Sequence, residues 1–305
     1  MNAIAAASEP VHELFGARVR GVDLVTLLDA YGTEPVLELV DRYRVLVFAG
    51  QRMSPADQVA VSRRFGEVDV PPRVEDRLHR APEVFVIGNP GEKAVAFAPA
   101  GVDGRGDGEL EWHSDQSQYP RPTWISLMYG VEVPPRGGDT LFACTRSSYA
   151  ALGAGSRRRY EGVNLLHSIR GINDYLRRQG KSDVVSEAEL RNEEGPAQEW
   201  PLVRRHPRTG ERGLYFGSHV CVGVSGWPEG PGRELIAEVT AHATRPEFVY
   251  RHSWSPGDLV LWDNRCTVHA ATSYDAATYR RVIHRTTVQD PLPPAPVRRE
   301  GAGAW

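Results

Sequence analysis

The side chains able to do chemistry fall in three separated stretches. In Glu111-Trp112-His113-Ser114-Asp115 an imidazole and a carboxylate stand two positions apart. On an extended strand such positions share a face, so the spacing predicts His113 and Asp115 side by side, two donors on one edge of a metal ion. With 10 histidines in the chain, a surface histidine beside a turn aspartate is the competing reading of this stretch alone. The second stretch runs Trp254-Ser255-Pro256-Gly257-Asp258-Leu259-Val260-Leu261-Trp262-Asp263-Asn264-Arg265 and leads to Val268-His269-Ala270. A proline-glycine turn feeds a hydrophobic strand, and a histidine follows. A late histidine joined to an early His-x-Asp completes a two-histidine, one-carboxylate set, which takes one face of an octahedral Fe(II) and leaves three positions open. For His269 taken alone, a hydrogen-bonded core histidine is the rival.

In the third stretch, Tyr279-Arg280-Arg281-Val282-Ile283-His284-Arg285, Arg281 and Arg285 have the same strand parity and can share one cavity. Inward arginines are costly unless anions meet them, and a bidentate carboxylate is the natural partner. Two solvated surface arginines are the alternative. Gly137-Gly138-Asp139-Thr140 offers a turn followed by a hydroxyl donor, or a plain hairpin turn.

The elements that must position these groups read as mainly β. Gly and Pro number 30 and 23 and punctuate short apolar runs, which disfavours long helical repeats. Strands are predicted at residues 17–24, 44–48, 84–87, 124–129, 214–216, 259–262 and 281–284. Helices are predicted at 34–43, at 55–65 with Ser54 as cap and Gly66 as stop, from a capping Thr145 to Leu152, and near 232–243. Residues 153–200 read as a polar, weakly helical insertion that could cover a site, and 291–305 as a disordered tail. Residues 1–290 thus form one β-sandwich or barrel domain decorated by helices.

Composition excludes several classes. A formal charge of −3 with 25% charged residues argues against a dedicated nucleic-acid binder. No apolar run approaches the roughly 18 residues needed to span a bilayer, so no membrane partner is expected. The N-terminus lacks a basic region before its short apolar run, so a secretory signal is not expected and the cytoplasm is the default location. Three cysteines without CxxC spacing fit neither a disulfide framework nor a zinc ribbon.

The order HSD, GGDT, WxxGDLVLWDNRxxxH and RRxxHRTT resembles the taurine/2,4-dichlorophenoxyacetate dioxygenase family of Fe(II)- and 2-oxoglutarate-dependent oxygenases. The resemblance runs from GVDL at 21–24 and VLVF at 45–48 to RTT at 285–287. Residues 199–203 and 247–252 are similar to the 2,4-dichlorophenoxyacetate branch. It implies a double-stranded β-helix (jelly-roll, cupin-like) fold, with His113, Asp115 and His269 as iron ligands. It implies Thr140 and Arg281 on the far carboxylate of 2-oxoglutarate, Arg280 being the competing arginine, and Arg285 on an acidic group of the substrate. Lys93 and Ser117 are further substrate-contact candidates, with solvated loop positions as the alternative. The implied reaction consumes O2 and 2-oxoglutarate, releases succinate and carbon dioxide, and hydroxylates a C–H, next to a heteroatom, of a small anionic substrate. The aryloxyacetate branch carries a histidine near the position of Val222, a departure that bears on substrate identity. The other readings are a natural-product tailoring oxygenase acting on an amino-acid or nucleotide-like acid, and a sulfonate, sulfate-ester or phosphonate oxygenase. A zinc hydrolase and a non-catalytic jelly-roll binding protein rank below them, since neither uses Thr140 and Arg281. A homo-oligomer is a family-level expectation.

Overall fold

The computed structural model describes residues 7–72, 74–88, 112–178 and 197–291, together with residues 4, 185, 187 and 190. In chain order the described strands are β1 (Ser8–Pro10), β2 (Ala17–Val19), β3 (Val45–Phe48), β4 (Arg77–Leu78), β5 (Ala81–Gly88), β6 (Thr123–Glu132), β7 (Thr140–Cys144) and β8 (Asn164–His167). They continue with β9 (Gln198–Pro201), β10 (Val203–Arg205), β11 (Arg212–Leu214), β12 (Cys221–Val224), β13 (Val249–His252), β14 (Leu259–Asp263), β15 (Thr267–Ala271) and β16 (Val282–Gln289). The α-helices used below are α1 (Leu24–Tyr31), α2 (Glu34–Tyr43), α3 (Pro55–Phe65), α4 (Thr145–Ala150), α5 (Ala154–Tyr160), α6 (Arg170–Arg178) and α7 (Glu229–Ala243).

The larger sheet has the order β1-β2-β3-β14-β6-β16-β5-β4, and a smaller one the order β13-β7-β15. Except for the parallel β2–β3 pair, these strands are antiparallel. The two sheets face each other across an aromatic and aliphatic core. Val45, Val47, Val260, Trp262 and Ile283 from the large sheet meet Phe142 and Tyr250 from the small one. This is the double-stranded β-helix that the motifs imply.

Strand β3 shows why the apolar run at 45–48 must be buried on both sides. Val45 and Val47 point into the inter-sheet core, whereas Leu46 and Phe48 pack outward with Val36, Val40 and Val61 of α2 and α3. A strand covered on both faces has no polar alternation to show. Helix α3 starts as its sequence dictates: the Ser54 hydroxyl accepts from the Asp57 N–H while the Asp57 carboxylate accepts from the Ser54 N–H. Such a cap is worth about 1 kcal/mol. On the far side of the small sheet, Leu141, Ala143, Val268 and Ala270 share a cluster with Leu235 and Val239 of α7.

The structure departs from the sequence reading at several elements. The strand predicted over 17–24 stops at Val19, because Gly21 takes φ +67° and the Asp23 carboxylate caps α1 by accepting from the Thr26 N–H at 2.8 Å. Thr145 is the first residue of α4, with Cys144 preceding it and no side-chain cap. Strand β11 ends at Leu214, short of the predicted 216. Within 153–200 the chain forms α5, α6 and also β8, which is hydrogen-bonded on both sides to β9 and β12. That segment is therefore built into the sheet structure, since Leu165 alternates into the core behind the small sheet. Most of 179–196 and all of the predicted tail from 292 onward lie outside the described residues. Among the described residues no helix is long and apolar enough to cross a membrane.

Candidate active site

His113, Asp115 and His269 come together: one potential ligand atom from each lies within 4.8 Å of the others. The Asp115 Oδ1 is 3.8 Å from the Nε2 of both His113 and His269. Donors that each sit about 2 Å from one ion can be at most about 4 Å apart, so both separations are compatible with a shared metal. The route to this arrangement is not strand alternation. His113 forms a single antiparallel bridge with His269, donating to its carbonyl at 3.0 Å and accepting from its N–H at 2.9 Å. Asp115 then opens a turn, and Gln116 takes φ +55°. The Ser114 hydroxyl fixes the turn by donating toward the carbonyls of Asn264 and Thr267. His269 reaches the same place from the inward face of β15, between Trp262 (ring centroids 4.9 Å) and His113 (4.1 Å).

The protonation states suit a divalent cation. Burial opposes the charge on Asp115, but Arg285, His269 and His113, with the Ser126 hydroxyl, hold its pKa down to about 2. Burial, reinforced by His113, lowers His269 to about 3, so its imidazole is neutral and can offer a lone pair. The Arg285 guanidinium already meets Asp115 Oδ1 at 2.6 Å, which shows that this oxygen is placed to receive positive charge. Two imidazole nitrogens and one carboxylate oxygen form the donor set that suits Fe(II) with open positions.

A second functional corner lies at the start of β7. Thr140 is buried, and its Oγ1 accepts from the Trp254 indole N–H at 3.0 Å, which leaves the threonine O–H to donate elsewhere. Arg281, immediately before β16, is 3% exposed and donates from Nε to the Gly138 carbonyl at 3.1 Å. Burial lowers its pKa to about 10, against the opposing pull of Tyr274 and Asp139. Gly138 has φ +66°, and a Cβ there would press on Arg281 Cδ and Nε at 3.1 Å. Glycine is thus required both by the turn and by the arginine beside it. Arg280 points outward: its side chain is 58% exposed and lies 3.6 Å from Glu132. Of the two candidate arginines, only Arg281 faces the interior.

The predicted substrate contacts are less uniform. Arg285 projects inward from β16, stacks over Phe85 at 4.8 Å and bonds Asp115, so it adjoins the candidate metal site. The Ser117 hydroxyl is engaged by His167 Nδ1 at 2.9 Å, and its carbonyl accepts from the Trp200 indole at 2.6 Å. Lys93 lies outside the described residues. Sequence reasoning passed over Trp254, which holds Thr140, and His219, a buried residue whose ring is 5.0 Å from that of His113. Trp254 opens the quoted WxxGD motif, but a motif does not reveal which hydroxyl an indole will reach.

A second buried cluster, His206, Asp263 and Cys266, also brings potential ligands together. Its carboxylate is already committed. Asp263 accepts from Arg265 Nε and Nη2 and from His206 Nε2 at 2.9 Å. His206 Nδ1 accepts from the Thr209 N–H, so its Nε2 carries the proton given to Asp263 and neither nitrogen offers a lone pair, while Arg265 spans both carboxylate oxygens; this cluster reads as structural charge pairing that anchors the end of β14.

Comparison with known proteins identifies the family. Residues 7–287 match the family model for taurine catabolism dioxygenase TauD, TfdA family. The chain belongs to the TauD/TfdA dioxygenase family. It is therefore an oxidoreductase of the 2-oxoglutarate-dependent dioxygenase kind, using O2 with Fe(II) as the usual metal of the family. It is 37% identical over 289 residues to an alpha-ketoglutarate-dependent 2,4-dichlorophenoxyacetate dioxygenase from Cupriavidus pinatubonensis, covering 93% of this chain and 98% of the relative. It is 31% identical over 294 residues to pentalenolactone F synthase from Streptomyces arenae, covering 94% and 96%. Among solved structures, AAD-2 in complex with Mn(II) and N-oxalylglycine superposes with a TM-score of 0.74 at 28% identity, covering 94% of this chain and 98% of that one.

Proposed function

We propose that this TauD/TfdA-family dioxygenase hydroxylates a C–H bond of a small organic anion, with His113, Asp115 and His269 holding the iron, Thr140 and Arg281 holding the far carboxylate of 2-oxoglutarate, and Arg285 receiving the acidic group of the substrate. The observation that carries the reading is the convergence of two imidazoles and one carboxylate, from segments more than 150 residues apart, with the Arg285 guanidinium on the same carboxylate. When bound, iron with 2-oxoglutarate and O2 supplies the oxidising power, and succinate and carbon dioxide are released.

The chain's own residues orient and select. Arg281 offers a buried fork to a carboxylate, and the Thr140 O–H, free because the Trp254 indole satisfies the oxygen from the other side, adds a donor. Arg285 stands between Asp115 and the Phe85 ring, so an anion meeting this guanidinium lies beside the metal site. The walls around His269 are aromatic, Phe142 and Trp262, and exclude water from the reacting region. A carbon bearing oxygen, sulfur or nitrogen, once hydroxylated, loses its heteroatom bond, which suits the cleavage of an ether or ester side chain.

The test is an anaerobic titration of the Fe(II) protein with 2-oxoglutarate, following the charge-transfer absorbance, then adding aryloxyalkanoic acids, sulfate esters and their neutral analogues. An acid that perturbs the band should also drive O2 uptake and succinate formation, and His113→Ala should abolish both. Equal coupling by acids and neutral analogues would rule out the anion assignment to Arg285.

A further inference from the structure

The two oxygens of Asp115 have different surroundings. Oδ1 faces both imidazole Nε2 atoms and Arg285. Oδ2 instead accepts from the Ser126 hydroxyl at 2.6 Å. Ser126 in turn accepts from Asn264 Nδ2 at 2.9 Å, and Asn264 Oδ1 accepts from the Asp115 backbone N–H at 3.0 Å. The Trp262 indole also donates to Asn264 Oδ1 at 3.1 Å. Two N–H donors at one end of the Asn264 amide fix that end as oxygen, so its nitrogen must face Ser126. The serine oxygen then receives a proton from Asn264, and its single O–H goes to the carboxylate, which has none to give. The hydrogen-bond directions in this closed ring of Asp115, Asn264 and Ser126 are therefore determined by chemistry alone. Ser126 and Asn264 are fully buried, and Ser126 sits on β6 directly opposite Trp262 of β14.

We propose that Ser126 and Asn264 are positioning residues that tie Asp115 Oδ2 into the protein and present Oδ1 alone to the metal, an inference that rests on the reading of Asp115 as a ligand. The consequence is coordination number. A carboxylate free to rotate can bind through both oxygens and would occupy one of the three positions that the cosubstrate and O2 require. With Oδ2 held in the ring, rotation toward chelation breaks the Ser126 bond inside the protein, where no water replaces it. The ring also links the ligand to the β6–β14 pairing, so the rigidity of the large sheet is transmitted to a residue that lies in a turn.

The experiment uses the full chain without metal and titrates it with Mn(II), reading free Mn(II) by electron paramagnetic resonance. Loss of a partner behind a metal ligand typically costs about 10- to 100-fold in affinity, so Ser126→Ala should weaken Mn(II) binding by that factor, while Ser126→Thr, which keeps the hydroxyl, stays near wild type. Thermal unfolding checks that both variants fold. If the alanine variant does not, Ser126→Cys replaces it, and its weaker donor should place it below threonine. Unchanged or tighter binding in the alanine variant overturns the proposal, as does equal loss in alanine and threonine, which would assign the effect to packing. His113→Ala separates the two levels of inference. If it also binds Mn(II) like wild type, the metal-site reading fails, whereas its loss beside an unaffected Ser126→Ala rejects only the positioning role.

Discussion

Replacing Arg281 by methionine isolates the cosubstrate corner of the site. The methionine stem keeps the packing beside Gly138 and removes the guanidinium. Arg281 is 3% exposed and, with its pKa lowered only to about 10, carries its charge at neutral pH. Truncating one partner of a buried, hydrogen-bonded charge pair costs about 2–5 kcal/mol. At about 1.4 kcal/mol per decade, the dissociation constant for 2-oxoglutarate should rise roughly 30- to several-thousand-fold. Arg281→Lys, which keeps the charge and loses the fork, should fall between. Arg280→Ala should change it by less than about twofold, because the Glu132 pair lies at the surface. The assay is anaerobic titration of the Fe(II)-loaded protein with 2-oxoglutarate by charge-transfer absorbance. A methionine variant within about threefold of wild type, or an equal loss in Arg280→Ala, would refute the assignment of the carboxylate to Arg281.

Three further outcomes follow from the same geometry. Trp254→Phe removes the indole N–H that satisfies Thr140 Oγ1, and should weaken 2-oxoglutarate binding by roughly 2- to 10-fold, the worth of about one hydrogen bond, in the same titration. Asp263→Asn leaves Arg265 without its carboxylate in a buried cluster and should destabilise the fold by about 3–5 kcal/mol, read from urea unfolding monitored by circular dichroism. His167, held neutral by burial with a pKa lowered to about 3, takes up its proton in the unfolded chain near the ordinary histidine value. Its contribution is thus fully present above pH ~6.5 and is lost as the pH falls from there toward about 3, by up to ~1.4 kcal/mol per unit. Urea midpoints of wild type and His167→Gln between neutral and acidic pH check this; identical slopes would show that His167 does not titrate on unfolding.

Several features were legible in the sequence because they depend on local chemistry. Ser54-Pro55-Ala56-Asp57 contains its own cap, so α3 begins and ends where residues 54–66 dictate. The VLVF and LVLW runs are strands buried on both faces, and their apolar character without alternation states as much. The order of motifs that resembles the family named His113, Asp115 and His269 as candidate ligands, and the fold brings these three side chains together. Other features needed the folded chain. The proximity of His113 to His269 arises from a single backbone bridge between residues 156 positions apart, and no local pattern encodes that pairing. The strand expected at Asp115 is a turn held from a distance in sequence: the Asp115 N–H donates to the Asn264 side chain, and the Ser114 hydroxyl to the carbonyls of Asn264 and Thr267. Likewise Arg280 and Arg281 are neighbours of one type, and only the course of the chain into β16 turns one outward and buries the other beside Gly138. Residue type fixes what a group can do. Which oxygen of Asp115 meets Ser126, and which of the two arginines is buried, is decided by long-range pairing, because a hydrogen bond is satisfied by whatever partner the folded chain brings within about 3 Å.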